Sequence, residues 1–175
     1  MKLNTRFLVI TALIALAILT RLIPHAPNFT AASAVALFGA AYYDKKILAF
    51  LVPLTAVFIS DLLLGGLYKG MEWVYASYIA IAALGFLLRN KITVYRVFSF
   101  SVISSICIYV ISDFGVWLGT IYPHNPQGFV ACYMAALPFL RNWLLGDLFY
   151  GGLLFSTFYF MQLKFPKLAK QHIQR

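Results

Sequence analysis

The chain has 175 residues, 62 % hydrophobic and only 11 % charged, with 14 Lys and Arg against 5 Asp and Glu for a net charge of +9. A water-soluble domain of this length carries roughly a quarter of its residues charged, so that class is excluded. The basic residues punctuate apolar runs instead of sharing one soluble face, which argues against nucleic acid as a partner. No GxxxxGK[ST] loop is present, so the chain carries no ATPase of its own.

The first apolar run, FLVITALIALAIL, follows Lys2 and Arg6, and Ala32–Ala34 imitates a signal-peptide cleavage site. Arg21, Pro24 and Pro27 separate the two, so the run is expected to stay as a first span. A span takes about 20 apolar residues. Six follow along the chain, at about 7–23, 29–43, 47–65, 73–89, 94–118 and 138–162. The expectation is an all-α polytopic membrane protein, one transmembrane domain over 1–175 built as a six-helix bundle. The second segment lies between Pro27-Asn28 and Asp44-Lys45-Lys46 and is short, so it should stand untilted or thin the bilayer. Residues 119–137 fit no simple loop. TIYPHNPQG is polar and FVACYMAAL is apolar but too short to span, which predicts a short surface or re-entrant helix ending before Pro138.

Orientation follows from the basic residues. With the N-terminus inside, Lys2, Arg6, Lys45, Lys46, Arg89, Lys91, Arg96, Lys164, Lys167, Lys170 and Arg175 are cytoplasmic, while only Arg21, Lys69 and Arg141 are outside. Both termini are therefore expected in the cytoplasm and the protein in the cell (inner) membrane. Trp73, Trp117 and Trp143 fall near outer ends, and Tyr42 and Tyr43 near an inner one, as interfacial aromatics do.

Asp61, Asp113 and Asp147 lie inside apolar runs. A carboxylate there costs about 2.5–3.5 kcal/mol even on the lenient insertion scale, so each should face the protein interior and find a partner. Arg21 and Arg141 are the candidate cations. The topology brings these five to one outer level with His25, Asn28, Thr30 and Asn142, and the expectation is a single outward cavity that binds a small polar substrate. The bland alternative is that the charges pair only to fix helix register. Asn28-Phe29-Thr30 is formally a glycosylation sequon, but Asn28 or Thr30 is read as the N-cap of the second helix. Tyr68, Tyr75, Tyr78, Tyr122 and Tyr133 are placed to stack on a flat ligand.

No catalytic constellation emerges, so the chain is not read as an enzyme. An intramembrane aspartyl protease needs GxGD, and Leu144 occupies the first glycine position before Gly146-Asp147; a GxSx nucleophile is absent too. Cys107 and Cys132 lack metal-ligand spacing and are read as packed thiols without a shared disulfide. No metal or cofactor is implied. ISDLLLG at 59–65 and ISDFGVWLG at 111–119 echo each other but are too short to establish a repeat. Ala32, Ala36 and Ala40 form a ladder along the second helix, where small residues allow close helix approach. The ladder is read as partly exposed and docking a membrane partner, the alternative being packing on the first helix.

The run RLIPHAPNFTAASAVALFGAAYYDKKILAFLVPLTAVFISDLLLG, with ISDFGVW, YPHNPQGFVACYMAALPFLRN and GDLFYGGLLF, resembles a family of small bacterial membrane proteins with no assigned function. That family resembles the substrate-binding S components of energy-coupling factor (ECF) transporters. The resemblance implies a six-helix bundle binding a micronutrient from outside, with a transmembrane T component and two ATPase subunits as partners. S components often carry AxxxA in the first helix, whereas here that helix offers Thr11-x3-Ala15 and the alanine ladder lies in the second. The leading expectation is a substrate-binding component of an uptake transporter. Its rivals are an autonomous proton-coupled carrier and a non-transporting membrane scaffold.

Overall fold

The computed structural model describes residues 4–169, so Lys2, Lys170 and Arg175, three of the residues read as cytoplasmic, lie outside the described residues. Among the described residues six α-helices form the bundle: α1 (Thr5–Leu19), α2 (Ala32–Tyr42), α3 (Lys46–Leu64), α4 (Met71–Leu88), α5 (Val94–Leu118) and α6 (Pro126–Lys164). Short 3-10 turns follow α1 and α6. Five of the helices, all but α2, are long and apolar enough to cross a membrane. Large apolar side chains such as Leu16, Leu51, Leu63 and Leu87 stand exposed on them, as suits contact with lipid.

α2 is the organising element. It has 11 residues and every one is buried. At 1.5 Å per residue it is only about 16 Å long, half the roughly 30 Å hydrocarbon thickness. The sequence reading of this segment as a short span that thins the bilayer is therefore corrected. α2 is packed on all sides by the other five helices and meets no lipid. Ala32, Ala36 and Ala40 are 1 %, 1 % and 0 % exposed, so the alanine ladder is internal packing and does not form a partner surface. The close approach is literal at Gly85 of α4, where an added Cβ would lie 2.5 Å from Ala40 Cβ and 2.7 Å from Leu37 O. On its other side α2 meets α6 through Phe38, Tyr42, Phe155 and Phe158, with ring centroids 4.5 to 5.8 Å apart.

α6 runs unbroken for 39 residues and contains Pro138. The expected separate surface helix over 119–137 is instead its first third. Breaking the helix at Pro138 would leave several backbone groups unpaired in an apolar medium. A proline bend leaves far fewer. Asp147 bonds Ser105, and Cys132 bonds the Asp113 carbonyl, so fifteen residues of α6 (147 − 132) run beside eight of α5 (113 − 105). Pro138 lies in the stretch of α6 between these two contacts.

The helix directions gather Arg6, Lys45, Lys46, Arg89, Lys91, Arg96, Lys164 and Lys167 at one end of the bundle, called here the basic face. Arg21, Lys69 and Arg141 stand at the opposite face.

Candidate functional site

A buried helix must satisfy its own ends, because its first N–H and last C=O groups have no intrahelical partner. At the C-terminal end of α2, Arg89 donates from Nε and Nη2 to Ala40 O at 3.2 and 2.8 Å, and from Nη2 to Tyr43 O. Arg6 donates from Nη2 to Tyr42 O at 3.0 Å and from Nη1 to Leu168 O, which ties the start of α1 and the chain after α6 to the same point. Two cations thus sit at the negative end of the α2 dipole. At the other end, Ala31 occupies the N-cap position and makes no side-chain cap bond, so neither Asn28 nor Thr30 is the N-cap. Thr30 Oγ1 accepts weakly from Ala32 N at 3.5 Å, and Asn28 takes a left-handed turn with φ 64°. The loop backbone at Thr30 lies so close to α6 that an added Cβ on Gly146 would come within 3.0 Å of Thr30 N. The next α6 residue, Asp147, is 2 % exposed. Its Oδ2 accepts from Ser105 Oγ at 2.7 Å, and Ser33, in the first turn of α2, adds a second hydrogen bond.

The expected single cluster of charges divides into separate places. Arg21 and Asp61 do pair, with Nη2 2.7 Å from Oδ1. Arg21 also donates to Ser60 Oγ, and Tyr75 Oη donates to Asp61 Oδ2 at 2.8 Å. Asp61, itself on α3, is thereby satisfied by Tyr75 of α4 and Arg21 of the turn after α1. Tyr68, in the loop before α4, stands near both charges, and burial, helped by Asp61, pushes its phenol up from the usual tyrosine range. Arg141 is exposed and forms no ion pair among the described residues, so it is not the partner of Asp113 or Asp147. Asp113 is buried, and its Oδ2 has no hydrogen-bond partner; the nearby Cys132 thiol donates to the Asp113 backbone carbonyl at 3.5 Å. The loop residues are peripheral. His25 is exposed beside Ile23 O, and Asn142 Nδ2 donates to Pro27 O at 2.8 Å, pinning the loop to α6. Of the aromatic candidates, Tyr75 and Tyr78 face the interior, whereas Tyr133 Oη is used by Val110 O.

Tyr78 is 5 % exposed, stacks edge-on to Tyr75 at 5.7 Å, and lies within Coulombic reach of Arg21, Asp61 and Asp147. Below Asp147, the same Ser105 hydroxyl has Ser101 O as a second, longer acceptor at 3.1 Å. Ser101 and Leu148 line a cavity of about 830 Å³ that opens toward the basic face between α5 and α6, past Arg89 and Lys91. Arg21–Asp61, Tyr75, Tyr78, Asp147 and Ser105 form a column of polar residues above this cavity, hydrogen-bonded at Arg21–Asp61–Tyr75 and again at Asp147–Ser105. The sequence reading placed the cavity at the outer level; this one opens at the other end. Arg89 and Ser105 were missed. Both are invisible as site residues in a list of acidic positions, although Arg89 could have been found as the cation nearest the end of α4.

No group of three or more His, Cys, Asp and Glu able to hold a metal occurs among the described residues. Among known proteins, the model of a family of unknown function, DUF6580, matches residues 1–168. No curated protein and no solved structure matches the chain.

Proposed function

The chain belongs to the DUF6580 family, and we propose that it is a substrate-binding membrane component of an uptake transporter for a small polar nutrient. The observation that carries this reading is the polar column. Register alone needs charge pairs, and Arg21–Asp61 meets that need. It does not need a fully buried carboxylate held only by serines, nor a cavity of about 830 Å³ ending one helical turn from it. Ionisable groups inside a membrane bundle mark substrate or proton paths more often than they serve packing alone. In this reading the substrate enters from the opposite face, toward which the buried and unpartnered Asp113 Oδ2 lies. It passes Tyr78 and Asp147 and leaves through the cavity. The resemblance to S components adds the expectation of a T component and ATPase subunits as partners, without the alanine ladder as docking surface.

A second reading has its own support. Asp147 has no ion-pair partner among the described residues, so it is able to take up and release a proton without breaking a salt bridge. That suits an autonomous proton-coupled carrier. Native mass spectrometry of gently purified protein tests the binding claim common to both. A retained small molecule in the wild type, lost in Asp147→Asn, is the expected result. Absence of any small molecule from the wild type and from its native complexes, after expression in rich medium, contradicts it. Copurification of an ATPase module separates the first reading from the second.

A further inference from the structure

The cavity at the basic face is not a closed chamber. Among its lining residues Val94 is 89 % exposed, Phe98 53 %, Tyr159 55 % and Phe160 65 %, so its side wall is also the outer surface of the bundle. In a membrane that surface borders hydrocarbon. The mouth carries Arg6, Arg89 and Lys91 against the single carboxylate of Asp44. Arg6 and Arg89 are held in place by the α2 carbonyls whether or not a ligand is present, and Lys91 is exposed beside them. The cavity is thus cationic at headgroup depth and apolar and laterally open below it. Small residues keep it hollow. An added Cβ on Gly152 meets nothing within 4 Å, and Ser101 and Ser156 line the wall nearby.

We propose that this cavity holds one anionic phospholipid, its phosphate at Arg89 and Lys91 and an acyl chain against Phe98, Phe155 and Tyr159. A neutral lipid would leave the excess positive charge uncompensated. A small soluble anion would leave the apolar, laterally open wall without a partner. Basic pockets between transmembrane helices are where anionic headgroups collect. The inference does not rest on the transport reading, in which the lipid has to give way as the substrate leaves through the cavity.

The test is native mass spectrometry of the full chain in detergent, titrated with phosphatidylglycerol or with phosphatidylcholine of the same chain length. One phosphatidylglycerol should be retained with clear preference over phosphatidylcholine. Lys91→Gln should reduce that preference about fivefold, the factor expected for one basic residue near an anionic surface. Gly152→Leu should plug the cavity and abolish retention, with Gly152→Ala intermediate and circular dichroism reporting the fold of each. Equal retention of the two lipids by the wild type overturns the proposal, even if Gly152→Leu fails to fold. So does retention unchanged in a folded Gly152→Leu variant, or displacement of the lipid by inorganic phosphate alone, which would make the site one for a soluble anion.

Discussion

Arg89, one residue past the end of α4, donates to Ala40 O from both Nε and Nη2, at 3.2 and 2.8 Å, and so caps a helix to which it is not joined. A forked guanidinium holding a carbonyl this way does more than a point charge can. Arg89→Gln should lower stability by about 2–3 kcal/mol, the loss of charge-assisted hydrogen bonds to a buried acceptor. Arg89→Lys should recover part of it. Thermal unfolding in detergent, followed by circular dichroism, checks both. An unchanged midpoint for Arg89→Gln would mean that α2 does not need its cap.

Ala36, 1 % exposed at the centre of α2, leaves no room for a larger side chain. Ala36→Leu should therefore cost about 1–3 kcal/mol by overpacking. The loss should appear in the isolated protein, as a lower melting temperature. A variant as stable as the wild type that only failed to copurify with a partner would restore the ladder as a docking face.

Arg21 and Asp61 form an ion pair whose side chains are 13 % and 5 % exposed. Removing one leaves the other buried and uncompensated, so Arg21→Met or Asp61→Asn should each destabilise by about 3–5 kcal/mol. The double variant should lose less than the sum of the two, since no orphaned charge remains. Additive losses in a double-mutant cycle would show that the pair is not coupled.

Much of the fold was legible in the sequence because lipid imposes a length rule. The four spans read at 7–23, 47–65, 73–89 and 94–118 lie close to α1, α3, α4 and α5. Two segments broke that rule for physical reasons. α2 lies inside protein, so hydrocarbon thickness does not set its length; arginines from α1 and the end of α4 satisfy its carbonyls. α6 carries a proline that a soluble helix would seldom absorb, and its first third appeared in sequence as a separate, too-short piece. The site was legible only in its acids. Asp61, Asp113 and Asp147 stand out in any apolar run. Their partners do not, because Ser105, Ser33 and Tyr75 look like ordinary residues of a membrane helix until the bundle brings them together. The pairing of Arg141 with a carboxylate failed because equal depth does not fix the direction a side chain faces on its helix.

The basic face, with Arg6, Lys45, Lys46, Arg89 and Lys91, is expected in the cytoplasm. Reporter fusions after Lys46, Gly70, Lys91 and Gln127 should read inside, outside, inside, outside. Two neighbouring fusions on the same side would break the topology.

Asp147 is the centre of the proposed path through the bundle. The most direct measurement is uptake into proteoliposomes holding the purified protein, alone or with any copurified ATPase module. The vesicles are offered a defined mixture of small metabolites, with and without a pH gradient, and their contents are read by mass spectrometry. At least one compound should accumulate with the wild type and fall to the level of empty vesicles with Asp147→Asn, while Arg141→Ala keeps most of the uptake. Accumulation by Asp147→Asn equal to that of the wild type, or none by the wild type under any of these conditions, would contradict the path.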